Sequence, residues 1–288
     1  MAVMPSDTST PDAFGQPDLV VPYKHIDDVT LTLRIFLPER SDGPPLQGVS
    51  RPVILWFHGG GWQSGSPSQF YPQCAYFAER GVLCIAAEYR LGRLHGTTPM
   101  DAVRDAFDAM RFVRRHATGW GGDATRIGAA GGSAGGHLAA SLATLTAPDL
   151  AGSAEQAASA RPALLILFNP VFDNGPVGGY GHDRMADRWQ DMSPAHNLNA
   201  SVPPMLIMLG DKDHLLPVET VRRFTEQLDK WGVSQRTVVY PGAQHGFFNY
   251  GREDGRYFLK TRTEVEAFLT ERNWLTPVAG HRETQRSS

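Results

Sequence analysis

An α/β fold with a mostly parallel central sheet and helices on both faces is predicted by three observations. Several short runs are apolar at every position, as strands buried on both sides are. Between them lie longer segments whose apolar residues recur at helical spacing. The two kinds alternate from residue 52 to residue 269, the order of successive strand–helix–strand crossovers.

The elements follow in order. Residues 29–37 (VTLTLRIFL) alternate and are rich in β-branched side chains, which predicts a half-buried strand. Residues 40–51 (RSDGPPLQGVSR) are a turn-rich connector. Residues 52–57 (PVILWF) read as a buried strand. Ser68 can cap a helix that runs to Arg80 and stops at Gly81. Residues 82–87 (VLCIAA) form the next buried strand. Thr98, Pro99 and Asp101 signal a helix start, and Val103, Ala106, Met110 and Val113 mark its buried stripe. The charged groups within 101–115 are assigned to a solvated helix face. A strand at 126–130 leads to a helix at 133–146, stopped by Pro148. Strands at 163–168 and 204–209 precede a helix at 217–231, with Val221, Phe224, Leu228 and Trp231 on one face and Gly232 behind it. A strand at 237–240 and a helix at 256–269 complete the set.

Length alone would allow two domains at ~150 residues each, but α/β units of this size often form one. The expected organisation is a polar tail at 1–18, one α/β domain at 19–275 and a second tail at 276–288. Residues 169–201 separate two strands by more than a crossover helix requires. They carry four Gly, several aromatics and two His, and read as a lid or pocket-wall insertion.

The formal charge is −3 and there is no basic block, which argues against nucleic acid as a partner. No apolar run approaches the ~18 residues of a membrane span. Residues 1–16 lack the basic start and apolar middle of a signal peptide. Cys74 and Cys84 make no disulfide framework. The expectation is a cytoplasmic protein whose partner is a small molecule, neither nucleic acid nor membrane, with a homodimer left open.

Chemistry gathers at the ends of the expected strands. Gly131-Gly132-Ser133-Ala134-Gly135 is G-x-S-x-G between a strand and a helix, the context in which a serine sits exposed on a strained turn. Residues two before and two after such a serine have no room for a Cβ, and both are glycine. No Lys follows, so a phosphate-binding loop fits poorly. His58-Gly59-Gly60-Gly61-Trp62 follows the PVILWF strand, where glycines let backbone amides point inward. Gly60, Gly61 and Ala134 are the candidate oxyanion donors. His58 is assigned to orienting the loop. GDKD at 210–213 and PGAQHGF at 241–247 follow the last two strands. Serine needs an adjacent imidazole as base, and the imidazole needs a carboxylate to fix its tautomer. Ser133, Asp213 and His245, in that chain order, supply all three at the sheet edge where open α/β folds place their sites. Trp62, His137, Tyr180, His182 and Phe247 are the candidate substrate contacts. Asp211, Asp213 and His214 come with no HExxH and no cysteine pair, so neither a metal nor another cofactor is expected.

These motifs, in this order, resemble an α/β-hydrolase of the esterase/lipase type. They are similar to the bacterial hormone-sensitive-lipase-like group and, more closely, to the short carboxylesterases that include acetyl-xylan and feruloyl-type esterases. The resemblance spans roughly residues 20–272 and rests on HGGGW at 58–62, Tyr89-Arg90, GGSAGGHLA at 131–139, Ser193-Pro194, GDKD at 210–213 and HGF at 245–247. It implies Asp213 rather than Asp211 as the acid, and the second and third glycines of HGGG as oxyanion donors. Two departures stand out: Gly132 occupies a position that many hormone-sensitive-lipase-like enzymes give to an acidic residue, and no helical cap precedes the first strand. Both favour an open site for short acyl groups. The implied activity is a serine carboxylesterase acting on short-chain acyl esters, with acetylated sugars as candidate substrates. An aryl-formamidase-like amidohydrolase using the same triad is one alternative, and a non-catalytic binding protein of the same fold is another.

Overall fold

The computed structural model describes residues 15–38 and 50–276. Most of the 1–18 tail, most of the 40–51 connector and all but the first residue of the 276–288 tail lie outside them.

Among the described residues eight strands form one sheet. They are β1 (Leu19–Ile26), β2 (Val29–Phe36), β3 (Arg51–Phe57), β4 (Leu83–Ala87), β5 (Gly122–Gly132), β6 (Leu165–Phe168), β7 (Met205–Gly210) and β8 (Gln235–Tyr240). Their spatial order is β1-β2-β4-β3-β5-β6-β7-β8. The six strands from β4 to β8 run parallel, while β1 and β2 add antiparallel pairs at one end. β1 is an element the apolar pattern did not reveal. It has no fully buried residue, contains Pro22 and shifts register between Pro22 and Lys24, so it carries neither clean alternation nor a buried run.

Among the described residues the helices of nine or more residues that cover the sheet are α1 (Tyr71–Glu79), α2 (Pro99–His116), α3 (Ala134–Thr144), α4 (Val218–Lys230) and α5 (Arg256–Glu271). Because strand side chains alternate, β3 feeds two cores. Val53, Leu55 and Phe57 pack with residues of α2, α3 and α4 on one face. Ile54 and Trp56 pack with α1 and α5 on the other. Gly81, at φ +89°, follows α1 as expected, but a 3₁₀ turn at Pro67–Phe70 comes first and its N-cap is Ser66, not Ser68. At the start of α2 the Asp101 carboxylate accepts from the Thr98 amide and hydroxyl, at 3.0 and 2.8 Å. The face of α2 is not wholly solvated. Asp105 is fully buried and paired with Lys24 at 2.6 Å and Arg90 at 2.8 Å. Two short helices, Pro148–Ala151 and Ala154–Ser159, were not legible, since elements of this length show no periodicity.

Between β6 and β7 the chain makes its long excursion. It contains only short turns, His182–Met185, Ala186–Arg188, Trp189–Met192 and Pro194–His196. It is anchored to the core along its length: Phe172 stacks on Phe224 of α4 at 3.6 Å, and Met185 and Met192 are buried. Among the described residues no helix is long and apolar enough to cross a membrane.

Candidate active site

Ser133 lies between β5 and α3 with φ 55° and ψ −120°, a conformation costly for a residue with a Cβ. The surroundings hold it there. The Ser133 amide donates to Phe168 O at 2.9 Å. A Cβ on Gly131 would lie 2.3 Å from Gly135 O, and one on Gly135 only 2.0 Å from Phe57 O. The β3 backbone is thus pressed against the turn, and only glycine fits either position. Gly132 has its own reason. Its missing Cβ leaves room for the Phe248 ring, whose nearest atom would be 2.3 Å away, so a side chain here, acidic or otherwise, has no space.

Loops beyond β7 and β8 bring the other two groups. His245 Nε2 lies 3.0 Å from Ser133 Oγ, and His245 Nδ1 lies 2.7 Å from Asp213 Oδ2. With Nδ1–H donating to the carboxylate, Nε2 is left to accept the serine proton. The other Asp213 oxygen accepts the Leu215 and Leu216 amides, both at 2.9 Å. Burial of this carboxyl opposes ionisation. The hydrogen bond to His245, its charge and the two amides outweigh that, and the Asp213 pKa lies below the ordinary value. Asp211 instead accepts from the Gly242 amide at 2.7 Å, bracing the β8 turn, and does not meet His245. Ser133 keeps 9% of its surface open.

The glycine loop after β3 faces the serine; a Cβ on Gly59 would lie 3.4 Å from Ser133 Cβ. The Gly59 amide is taken by Gln69 Oε1 at 2.6 Å. Among the described residues no loop or cap acceptor takes the amides of Gly60, Gly61 or Ala134. His58 supports the loop from behind: its Nδ1 donates to Gly59 O at 2.7 Å, and the Tyr89 hydroxyl donates to His58 O at 2.8 Å. Burial lowers the His58 pKa to about 4, against the pull of that hydrogen bond, so the ring is neutral at pH 7.

The five expected substrate contacts divide. Phe247 is a correction: it is wholly buried among Tyr240, Phe248 and Tyr257 on the α5 side of the sheet and faces no site. Trp62 and His137 are buried as well and meet edge to face at 5.0 Å. They back the site rather than line it. His137 Nε2 donates to Met192 O at 2.7 Å, and burial lowers its pKa to about 4. Tyr180 is half-buried over Trp62, and its hydroxyl would lie 3.3 Å from a Cβ on Gly61. His182 is half-buried too, with Nδ1 donating to Asn174 O at 3.0 Å. Three residues at the site escaped the sequence reading: Gln69, Arg184, which donates to Gly61 O at 3.0 Å, and Asn169, whose Oδ1 accepts the Gly246 amide at 3.2 Å beside His245. Arg184 and Asn169 act on backbone far away in the chain and Gln69 on backbone ten residues before it, pairings that no motif records. Among the described residues no group of three or more His, Cys, Asp or Glu is placed to hold a metal.

A mostly parallel eight-stranded sheet of this order, with hydroxyl, imidazole and carboxyl in line at its carboxyl edge, defines the class of α/β hydrolases. The family described as BD-FAE matches residues 34–173. The ethyl acetate hydrolase of Pseudomonas putida is 31% identical, over 78% of this chain and 74% of that protein. The probable carboxylic ester hydrolase LipM of Mycobacterium tuberculosis is 33% identical over 76% of this chain. The chain spans about half of LipM, 54% of its length. The apo form of Thermogutta terrifontis esterase 2 superposes with a TM-score of 0.83 at 41% identity, covering 93% of this chain and 98% of that one. The chain belongs to the α/β-hydrolase esterase/lipase family.

Proposed function

We propose that the protein is a serine carboxylesterase that hydrolyses short-chain acyl esters through an acyl-enzyme. The observation that carries this reading is the continuous relay Asp213–His245–Ser133, with links of 2.7 and 3.0 Å, beside the Gly60 and Gly61 amides, for which no loop or cap acceptor is found among the described residues. His245 takes the proton of Ser133 as the hydroxyl oxygen attacks the ester carbonyl. Gly60, Gly61 and Ala134 donate to the oxyanion that forms. His245 then passes the proton to the departing alcohol. Water, deprotonated by the same imidazole, attacks the acyl carbon and releases the acid. Asp213 stays ionised throughout, holding the tautomer and stabilising the imidazolium.

The short-acyl preference has support from relatives. One relative is named for ethyl acetate, and structures of Thermogutta terrifontis esterase 2 carry bound propionate and butyrate. Tyr180 and Arg184 crowd Gly61 from the insertion, which suits a small acyl group and the reading of 169–201 as a pocket wall. Acetylated sugars are the candidate physiological class. The test is direct: purified protein should hydrolyse p-nitrophenyl acetate and react with a fluorophosphonate probe, and Ser133→Ala should abolish both while remaining folded. Wild-type turnover in that variant would end the serine mechanism. Rates that rise with acyl length beyond about four carbons would reject the short-chain assignment.

A further inference from the structure

We propose that Arg184 is a positioning residue that keeps the glycine loop in its oxyanion-binding shape, so that the 169–201 insertion controls the catalytic step and not only access. The proposal rests on the esterase reading above.

For the loop to bind an oxyanion, its amides must face Ser133 and its carbonyls must face away. Each carbonyl from His58 to Gln63 has a donor holding it. Tyr89 Oη takes His58 O at 2.8 Å, and His58 Nδ1 takes Gly59 O at 2.7 Å. The Gln63 and Ser64 amides take Gly60 O, Gly92 takes Trp62 O, and Arg93 takes Gln63 O, all between 2.9 and 3.2 Å. These donors all lie close by in sequence, between residues 58 and 93. Gly61 O is the exception. Its partner is Arg184 Nη1, 3.0 Å away and 123 positions along the chain, in the insertion.

That carbonyl is also where the loop is most strained. Gly61 and Trp62 follow one another at φ 61° and 59°. Glycine tolerates this; a tryptophan does not without cost. Rotating the Gly61–Trp62 peptide by half a turn would carry Trp62 out of the left-handed region and swing Gly61 O off Arg184. The strain therefore favours the flip, and the guanidinium opposes it with a charge-assisted hydrogen bond. Arg184 is suited to this task. Its guanidinium lies over the Tyr180 ring, 5.8 Å from the centroid, while Nη1 reaches Gly61 O. A flip would leave the Gly61 N–H in its own, preceding peptide but turn Gly61 O from the far side of the loop toward the side where the oxyanion forms, and a carbonyl there repels the negative charge the loop is meant to hold.

The experiment compares Arg184→Met, Arg184→Lys and Arg188→Gln in the full chain. Arg188 serves as control because it lies on the same insertion but pairs only with Asp149 and Asp191 at the surface. Arg184→Met should lower kcat on p-nitrophenyl acetate ~10-fold with KM within about twofold, since losing one oxyanion donor outright costs ~10²–10³. It should weaken binding of an aryl trifluoromethyl ketone, which forms a tetrahedral oxyanion on the serine, by the same ~10-fold factor. Arg184→Lys, which can still donate to Gly61 O, should recover most of both. Arg188→Gln should match wild type. Unchanged kcat and ketone binding in Arg184→Met would overturn the proposal, and so would a loss shared equally by Arg188→Gln or one confined to KM. A wild-type protein inert to both ester and fluorophosphonate would instead remove the esterase reading, and this role with it.

Discussion

Ser133 shows how a single residue is held against its own preference. Its φ of 55° persists because Gly131 and Gly135 let the β3 backbone close on the turn, and because its amide is tied to Phe168. The two acidic residues after β7 differ as sharply. Asp213 holds the imidazole and two amides, whereas Asp211 braces a turn. Asp213→Asn should therefore lower kcat/KM by ~10⁴, because the amide cannot hold the required tautomer, while Asp211→Asn should stay within about threefold. Initial rates on p-nitrophenyl acetate check this, and the reverse ranking would reassign the acid. The serine, the histidine and the choice between the aspartates were all named from the chain itself or from the family it resembles. Phe247 was misjudged for a physical reason: the turn after His245 points consecutive side chains in different directions, and sequence does not say which faces the core. Asn169, Gln69 and Arg184 were invisible because ordinary polar side chains become informative only when folding puts a backbone partner beside them.

At the level of elements, the parallel strands were legible because burial on both faces leaves unbroken apolar runs, as in PVILWF and PMLIML. β1 was not, because an edge strand facing water carries no such signal. The insertion was recognisable by its length, but its anchoring was not, since Phe172 finds its partner Phe224 only in three dimensions. α2 was legible from its capping residues, and these make a quantitative test. Removing the Thr98 hydroxyl takes one bond from Asp101. Thr98→Ala should cost about 1 kcal/mol of stability in urea denaturation while esterase kcat/KM stays at the wild-type level. A matching fall in activity would mean that α2 is coupled to the site.

Across the whole molecule, two histidines tie stability to pH. His58 and His137 are both buried, and burial lowers each pKa to about 4 from an ordinary 6.5. Between those values the unfolded chain binds protons that the folded chain refuses. Their contribution is thus complete above about pH 6.5 and is lost as pH falls toward 4, on the order of 3 kcal/mol for each ring. Urea midpoints should decline steeply from pH 7 to pH 4.5, and the slope should lessen in His137→Gln. A flat profile would show that one or both rings gain water or a partner on protonation.

The distance along the chain between Ser133 and His245 has a consequence for biosynthesis. The two residues lie 112 positions apart, so a ribosome making ~10 residues per second completes the elbow roughly ten seconds before the imidazole exists. Throughout that interval the nascent polypeptide bears a hydroxyl with no general base. On the proposed mechanism, translation thus delays chemistry until β8 and the loop after it have emerged.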